Sequence, residues 1–140
     1  VLISFLREML SAFRPLTSMP KMVVATPVNH WHELGALIAS IVAADAGWAV
    51  FYFGPNLPAE EIAAAAVYKT AAAVALSVVC HDADRQTFRE IKRLRHFLTD
   101  DVAIIIGGDG VRSYQSELKQ MNILHPLNFS EFSDTLDGLS

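Results

Sequence analysis

The sequence predicts an α/β domain built on a doubly wound parallel sheet, and three observations carry that prediction. Short β-prone runs alternate with helix-like segments from end to end. The connections between them are short, as consecutive βα units require. The run at residues 73–79 is apolar on both faces, as strands buried inside a parallel sheet are. A length of 140 residues is the usual size of one domain and enough for a real core.

Each element has its own signal. Residues 2–13 read as an amphipathic helix, with Leu2, Phe5, Leu6, Met9, Leu10 and Phe13 on one face. Pro15 and Pro20 bracket a linker, which sets residues 1–19 apart from a domain at 20–140. Residues 22–26 form the first strand. Residues 33–46 form an Ala- and Leu-rich helix that stops at Gly47, in the usual place just past a helix. Residues 48–53 are an aromatic second strand, and Gly54-Pro55-Asn56-Leu57-Pro58 is a rigid loop. Pro58 suits a helix start, and Glu60 and Glu61 complement the dipole of a helix at 59–68. After the third strand, Asp82 caps a helix running to about Leu98. Residues 102–106 form a fourth strand ending in Gly107-Gly108, and residues 113–121 a helix. Residues 123–127 make a poor edge strand, interrupted by His125 and Pro126. Ser130 or Ser133 starts a last short helix. Five strands at this length fit the flavodoxin-like order 2-1-3-4-5, whose ligands bind outside the carboxyl ends of the strands.

Composition excludes several classes. With 52% hydrophobic and 19% charged residues the chain is not disordered, and no apolar run approaches the ~20 residues of a membrane span. The apolar start lacks a basic n-region and a cleavage site, so no signal peptide is expected. One cysteine, Cys80, permits no intrachain disulfide and favours a cytoplasmic setting. A net charge of -4 argues against direct contact with nucleic acid. The absence of an initiator Met suggests a piece of something longer.

The chemistry concentrates in His30-Trp31-His32-Glu33-Leu34-Gly35, after the first strand. A neutral imidazole at a strand end can reach a metal in the crevice outside the sheet. Gly35 would let a ligand pass close to the helix backbone, and Gly107-Gly108 would open space at another strand end. His30 and His32, with His81 and Asp82 across the sheet, also form a pattern that could hold zinc. Cys80 beside His81 reads as a buried strand-end thiol. No acidic pair closes the first strand, so a phosphorylated receiver is not expected, and no Gly-x-Gly-x-x-Gly follows it. No residue set here could perform catalysis alone, and the chain is not expected to be an enzyme by itself.

The stretch resembles the Asp-x-His-x-x-Gly motif of cobalamin (vitamin B12)-binding domains, and the resemblance covers roughly residues 21–139, nearly the whole chain. His32 and Gly35 match the motif's histidine and glycine, Leu76-Ser77-Val78-Val79 its Ser-x-Leu region, and Gly107-Gly108 its paired glycines. The resemblance implies His32 as the lower cobalt ligand. It also implies Ser77 and Val79 along the nucleotide tail, room for the tail's benzimidazole at Gly107 and Gly108, and His30, Trp31, Asn56 and Leu57 near the cofactor. His30 stands where the family has an acidic residue that holds the ligand imidazole's other nitrogen. A neutral His30 could still accept that hydrogen bond, and Glu33 is expected to point elsewhere. The loss of such a partner typically costs ~10–100-fold in affinity. The Gly47-Trp48 strand and the Gly-Pro-Asn-Leu-Pro loop look like the cobalamin-sensing domains of MerR-like transcriptional regulators and related photoreceptors. They imply a sensory module reporting cofactor state or light to a partner protein or to an upstream DNA-binding or helical domain. The first helix would be the remnant of a helical cap, and self-association stays open. Two alternatives stand beside it: a corrinoid-carrying subunit of a methyltransferase or mutase, and a fold relative that has lost the cofactor and acts as an interaction module. The sequence does not distinguish adenosyl- from methylcobalamin.

Overall fold

The computed structural model describes residues 1–79 and 85–139. Its strands are β1 (Lys21–Ala25), β2 (Ala49–Tyr52), β3 (Ala73–Ser77), β4 (Ala103–Gly107) and β5 (Ile123–Leu124). They form one parallel sheet in the order β2-β1-β3-β4-β5, the order the sequence implies. The helices are α1 (Leu2–Ser11), α2 (Leu34–Asp45), α3 (Ala59–Lys69), α4 (Arg85–Phe97), α5 (Gln115–Gln120) and α6 (Phe129–Leu139).

Strand alternation sorts the side chains into two cores. Val23, Ala25, Val74, Leu76, Ile104 and Ile106 face Ile62, Ile91, Leu94 and Leu118, so α3, α4 and α5 cover that side. Met22, Val24, Ala75 and Ile105 face Ala36, Ala43, Trp48, Phe132 and Leu136, so α2 and α6 cover the other. Helix α1 packs on α2, outside the sheet, and none of its residues is buried.

Several boundaries depart from the sequence expectation for local reasons. The segment expected as one helix at 113–121 is a 3-10 turn, Asp109–Tyr114, followed by α5, because Gly108 leads into it at φ +96. β3 ends at Ser77, since the Val78 amide already bonds the Gly107 carbonyl at 2.9 Å and the Val78 carbonyl accepts from Gly110. The last helix begins at Phe129, ahead of both expected serines. Asn128 Oδ1 accepts from the Glu131 amide at 2.8 Å, and the Glu131 carboxylate accepts from Leu127, a reciprocal cap. Glu90 reaches from α4 to the first amide of α3 at 3.1 Å, a cap with no local sequence signal. The expected cap Asp82, with Cys80 and His81, lies outside the described residues.

Candidate functional site

The loop after β1 is built by its own polar groups. Thr26 Oγ1 donates to the His30 carbonyl, and the Asn56 amide meets Thr26 Oγ1 at 2.8 Å and the same carbonyl at 3.1 Å. Asn56 Oδ1 accepts from the Asn29 amide at 2.7 Å. Both asparagines take a left-handed backbone, φ 69 and φ 60, which Asn tolerates better than most residues. Leu57 bridges to Pro27 and packs against the core. The Gly-Pro-Asn-Leu-Pro loop is thus the clasp that shapes the histidine loop.

Beyond the clasp the chain carries Trp31, 66% exposed, and His32, also exposed, before Glu33 opens α2. His30 turns the other way. It is buried, and its Nε2 lies 2.8 Å from Thr87 Oγ1 on α4. The hydrogen bond resolved for its ring therefore ties the loop to α4. Thr87 was not a sequence candidate, because nothing local marks a helix threonine as the partner of a residue so far along the chain.

Below His32 a cleft of about 940 Å³ descends between α2 and α6 over β3 and β4. That lies within the ~300–1,000 Å³ typical of small-molecule sites. His32, Gly35, Ser77, Val79, Gly107 and Gly108 all line it, although they come from three separate stretches of chain. His30, Trp31, Asn56 and Leu57 are not among its lining residues. The walls are mainly apolar, with Ile38 from α2 and Phe129 and Phe132 from α6. The sequence reading missed these three; Leu34 and Ile38, four apart on one helix face, were the available signal.

The three glycines of the cleft do different things. A Cβ on Gly35 would stand 2.8 Å from Ser77 Oγ, so α2 approaches β3 as closely as it does because the side chain is absent. A Cβ on Gly107 would meet nothing within 4 Å, and the position shares the Ile105 face of β4, so it opens the cleft. Gly108 is a backbone requirement. At φ +96, ψ 162 it occupies a region essentially confined to glycine, and a Cβ there would lie 2.3 Å from the Val78 carbonyl oxygen. His125 Nε2 reaches the Gly108 carbonyl at 3.1 Å and its Nδ1 reaches Gln115 at 3.2 Å, bracing that turn from the edge strand.

Next to His32 in the chain, Glu33 Oε1 accepts from Arg7 Nη2 at 2.6 Å and from the Tyr52 hydroxyl at 2.7 Å. Burial pushes the Glu33 carboxyl up, but these two hydrogen bonds and the Arg7 charge outweigh it and hold the group below its ordinary value. Burial and the Glu33 carboxylate push the Tyr52 hydroxyl well above the usual phenol range. Among the described residues no cluster of three His, Cys, Asp or Glu could hold a metal ion, and the His81 and Asp82 half of the zinc pattern lies outside them. Among them, too, no helix is long and apolar enough to cross a membrane.

The parallel sheet thus carries an exposed imidazole at one strand end above a deep, mainly apolar slot, an arrangement with room for an elongated ligand. Residues 20–129 match the B12 binding domain model, and the chain belongs to that family, with cobalamin as its cofactor. Comparison with curated proteins found no match. Among solved structures, a cobalamin-binding protein from Desulfitobacterium hafniense DCB-2 is similar at TM-score 0.72 and 19% identity, over 88% of this chain and 60% of that one. The methanol:cobalamin methyltransferase complex from Methanosarcina barkeri is similar at 0.72 and 18%, over 85% and 45%. The monomethylamine corrinoid protein of the same organism is similar at 0.72 and 13%, over 99% and 65%. The chain thus spans less than two thirds of the length of each.

The residues present fit the cofactor. An imidazole faces solvent at the strand ends, and beside it lies a slot that the missing side chain of Gly107 leaves open.

Proposed function

We propose that this chain is a corrinoid-carrying module that presents cobalt to a partner enzyme, with His32 as the lower cobalt ligand. The observation that carries the reading is that His32 shares one cleft with Gly35, Ser77 and Gly107. When bound, cobalamin supplies a cobalt centre able to carry a methyl group. The chain's own part is to bind and orient. His32 offers a ring nitrogen at the mouth, Ser77 offers a hydroxyl along the cleft wall, and the α2 and α6 side chains keep water from the nucleotide tail. The partner would bring the substrate and the catalytic groups.

The sequence alone ranks a sensory role first, and two of the solved neighbours favour the carrier, one being named a methanol:cobalamin methyltransferase complex and the other a monomethylamine corrinoid protein. The sensory signature rests largely on the Gly-Pro-Asn-Leu-Pro loop. In this structure that loop clasps the His30 end and does not line the cleft.

Titration with hydroxocobalamin, followed by absorption, tests the assignment. Binding should shift the spectrum in the parent, and His32→Ala should lose that shift. Equal spectra from both proteins would remove His32 from cobalt. Mass measurement of the adenosylcobalamin-loaded protein before and after illumination separates the two roles. A carrier keeps its mass, and a light-driven change of assembly would restore the sensory reading.

A further inference from the structure

The segment carrying His32 hangs between two anchors. The first is the clasp of Thr26 and Asn56 on the His30 carbonyl. The second is Glu33, immediately after His32. Its backbone carbonyl accepts the first hydrogen bond of α2, from the Leu37 amide at 2.9 Å. Its carboxylate is gripped on one oxygen by Tyr52 of β2 and Arg7 of α1. Charge-assisted hydrogen bonds of this length are about twice as strong as neutral ones. Between the anchors, Trp31 and His32 are exposed. Tyr52 belongs to the sheet and is fixed with it. Arg7 does not: α1 has no buried residue and is held on α2 from outside. One of the two grips on Glu33 therefore comes from a helix with no buried residue.

We propose that Glu33 is a positioning residue for His32, and that Arg7 makes its hold depend on the seating of α1; this rests on His32 being the cobalt ligand. Fixing the Glu33 carboxylate fixes the peptide that follows His32, so the imidazole is ordered before ligation and less freedom is lost on binding. When α1 lifts away, Arg7 leaves and one end of the segment slackens. Whatever moves α1, a partner or a further stretch of chain, then changes how tightly cobalt is held without touching the cofactor. Loss of a group that orients a metal ligand costs ~10–100-fold in affinity.

The test uses the full chain with Arg7→Met, Glu33→Gln and Arg7→Lys, each with His32 intact and with His32→Ala, titrated with hydroxocobalamin. With His32 present, Arg7→Met and Glu33→Gln should each weaken binding ~10-fold, and Arg7→Lys should recover part of the loss. With His32→Ala, in which only the tail and corrin contacts remain, the same changes should alter affinity by less than about 2-fold, the limit of additivity for independent sites. Equal losses in both backgrounds would overturn the proposal, because the substitutions would then act on the fold and not through His32. Amide relaxation of the cofactor-free protein gives a second reading. Arg7→Met should raise the mobility of residues 31–33 and leave β1 unchanged, and an unaltered loop would refute the coupling. If the parent binds no cobalamin, the ligand assignment fails, while the relaxation measurement still decides whether α1 governs the loop.

Discussion

Leucine at position 107 and leucine at position 108 should produce opposite failures, although the two glycines are neighbours. At Gly107 a Cβ meets nothing within 4 Å, so the backbone accepts a side chain without strain. The isobutyl group would stand in the cleft, the proposed place of the nucleotide tail. Forcing extra carbons into a packed space costs ~1–3 kcal/mol, which is a ~5- to 150-fold loss of affinity. Folding should be unharmed or gain ~0.4–1 kcal/mol from the reduced freedom of the unfolded chain. At Gly108 the backbone conformation alone costs a non-glycine residue ~1–3 kcal/mol. The clash with the Val78 carbonyl, 2.3 Å from the added Cβ, contributes a further ~1–3 kcal/mol. The total approaches the whole stability of a small domain. The assay is a melting curve for each variant with a spectroscopic titration against cobalamin and against cobinamide, which lacks the tail. Gly107→Leu should melt normally, lose cobalamin and keep cobinamide; Gly108→Leu should melt early. If Gly107→Leu lost both corrinoids equally at an unchanged melting temperature, the cleft would not be the tail site.

Other substitutions test other contacts. Gly35→Ala should destabilise the fold by ~1–3 kcal/mol, because its Cβ would press on Ser77 Oγ. Ser77→Ala should relieve most of that, since the next Ser77 atom stands 3.9 Å away; a melting-curve cycle without rescue would place the strain elsewhere. His30→Asp should lose the ring contact with Thr87 and lower the unfolding free energy in urea by ~1–3 kcal/mol. An unchanged midpoint would show that the contact stabilises nothing. The depressed Glu33 carboxyl predicts acid sensitivity of the α1 seat. Its contribution is fully present above the unfolded value, 4.5, and disappears as pH falls through the lower folded value. Proteolysis within α1 should therefore accelerate below about pH 4.5 in the parent, and Glu33→Gln should remove that pH dependence.

The parallel sheet and its order were legible because the relevant signals are local: doubly apolar strands, a proline at a helix start, a glycine past a helix end. Six of the expected site residues meet in one cleft, and they are those whose chemistry is tied to strand ends: His32, Gly35, Ser77, Val79, Gly107 and Gly108. What stayed hidden depends on contacts distant in sequence. The burial of His30 against Thr87 spans more than fifty positions, and the Arg7–Glu33–Tyr52 network joins three elements. Asn56 and Leu57 stood out as a motif, but their hydrogen bonds serve the loop beside them. The start of α6 was readable in principle, since Asn128 and Glu131 have capping-box spacing.

The two cores of the sheet are not equivalent. The layer of α3, α4 and α5 closes with its own side chains, whereas the layer of α2 and α6 borders an open cleft of about 940 Å³. Side chains along a cleft have fewer packed neighbours than those of a closed core, so the cofactor-free protein should be firm on one face and soft on the other. Amide exchange ought to run faster in α6 than in α3 or α4, and the arrival of cobalamin should slow it in α6 and α2 alone. The cofactor would then be structural filling as well as cargo: half of the domain would finish folding only in its company.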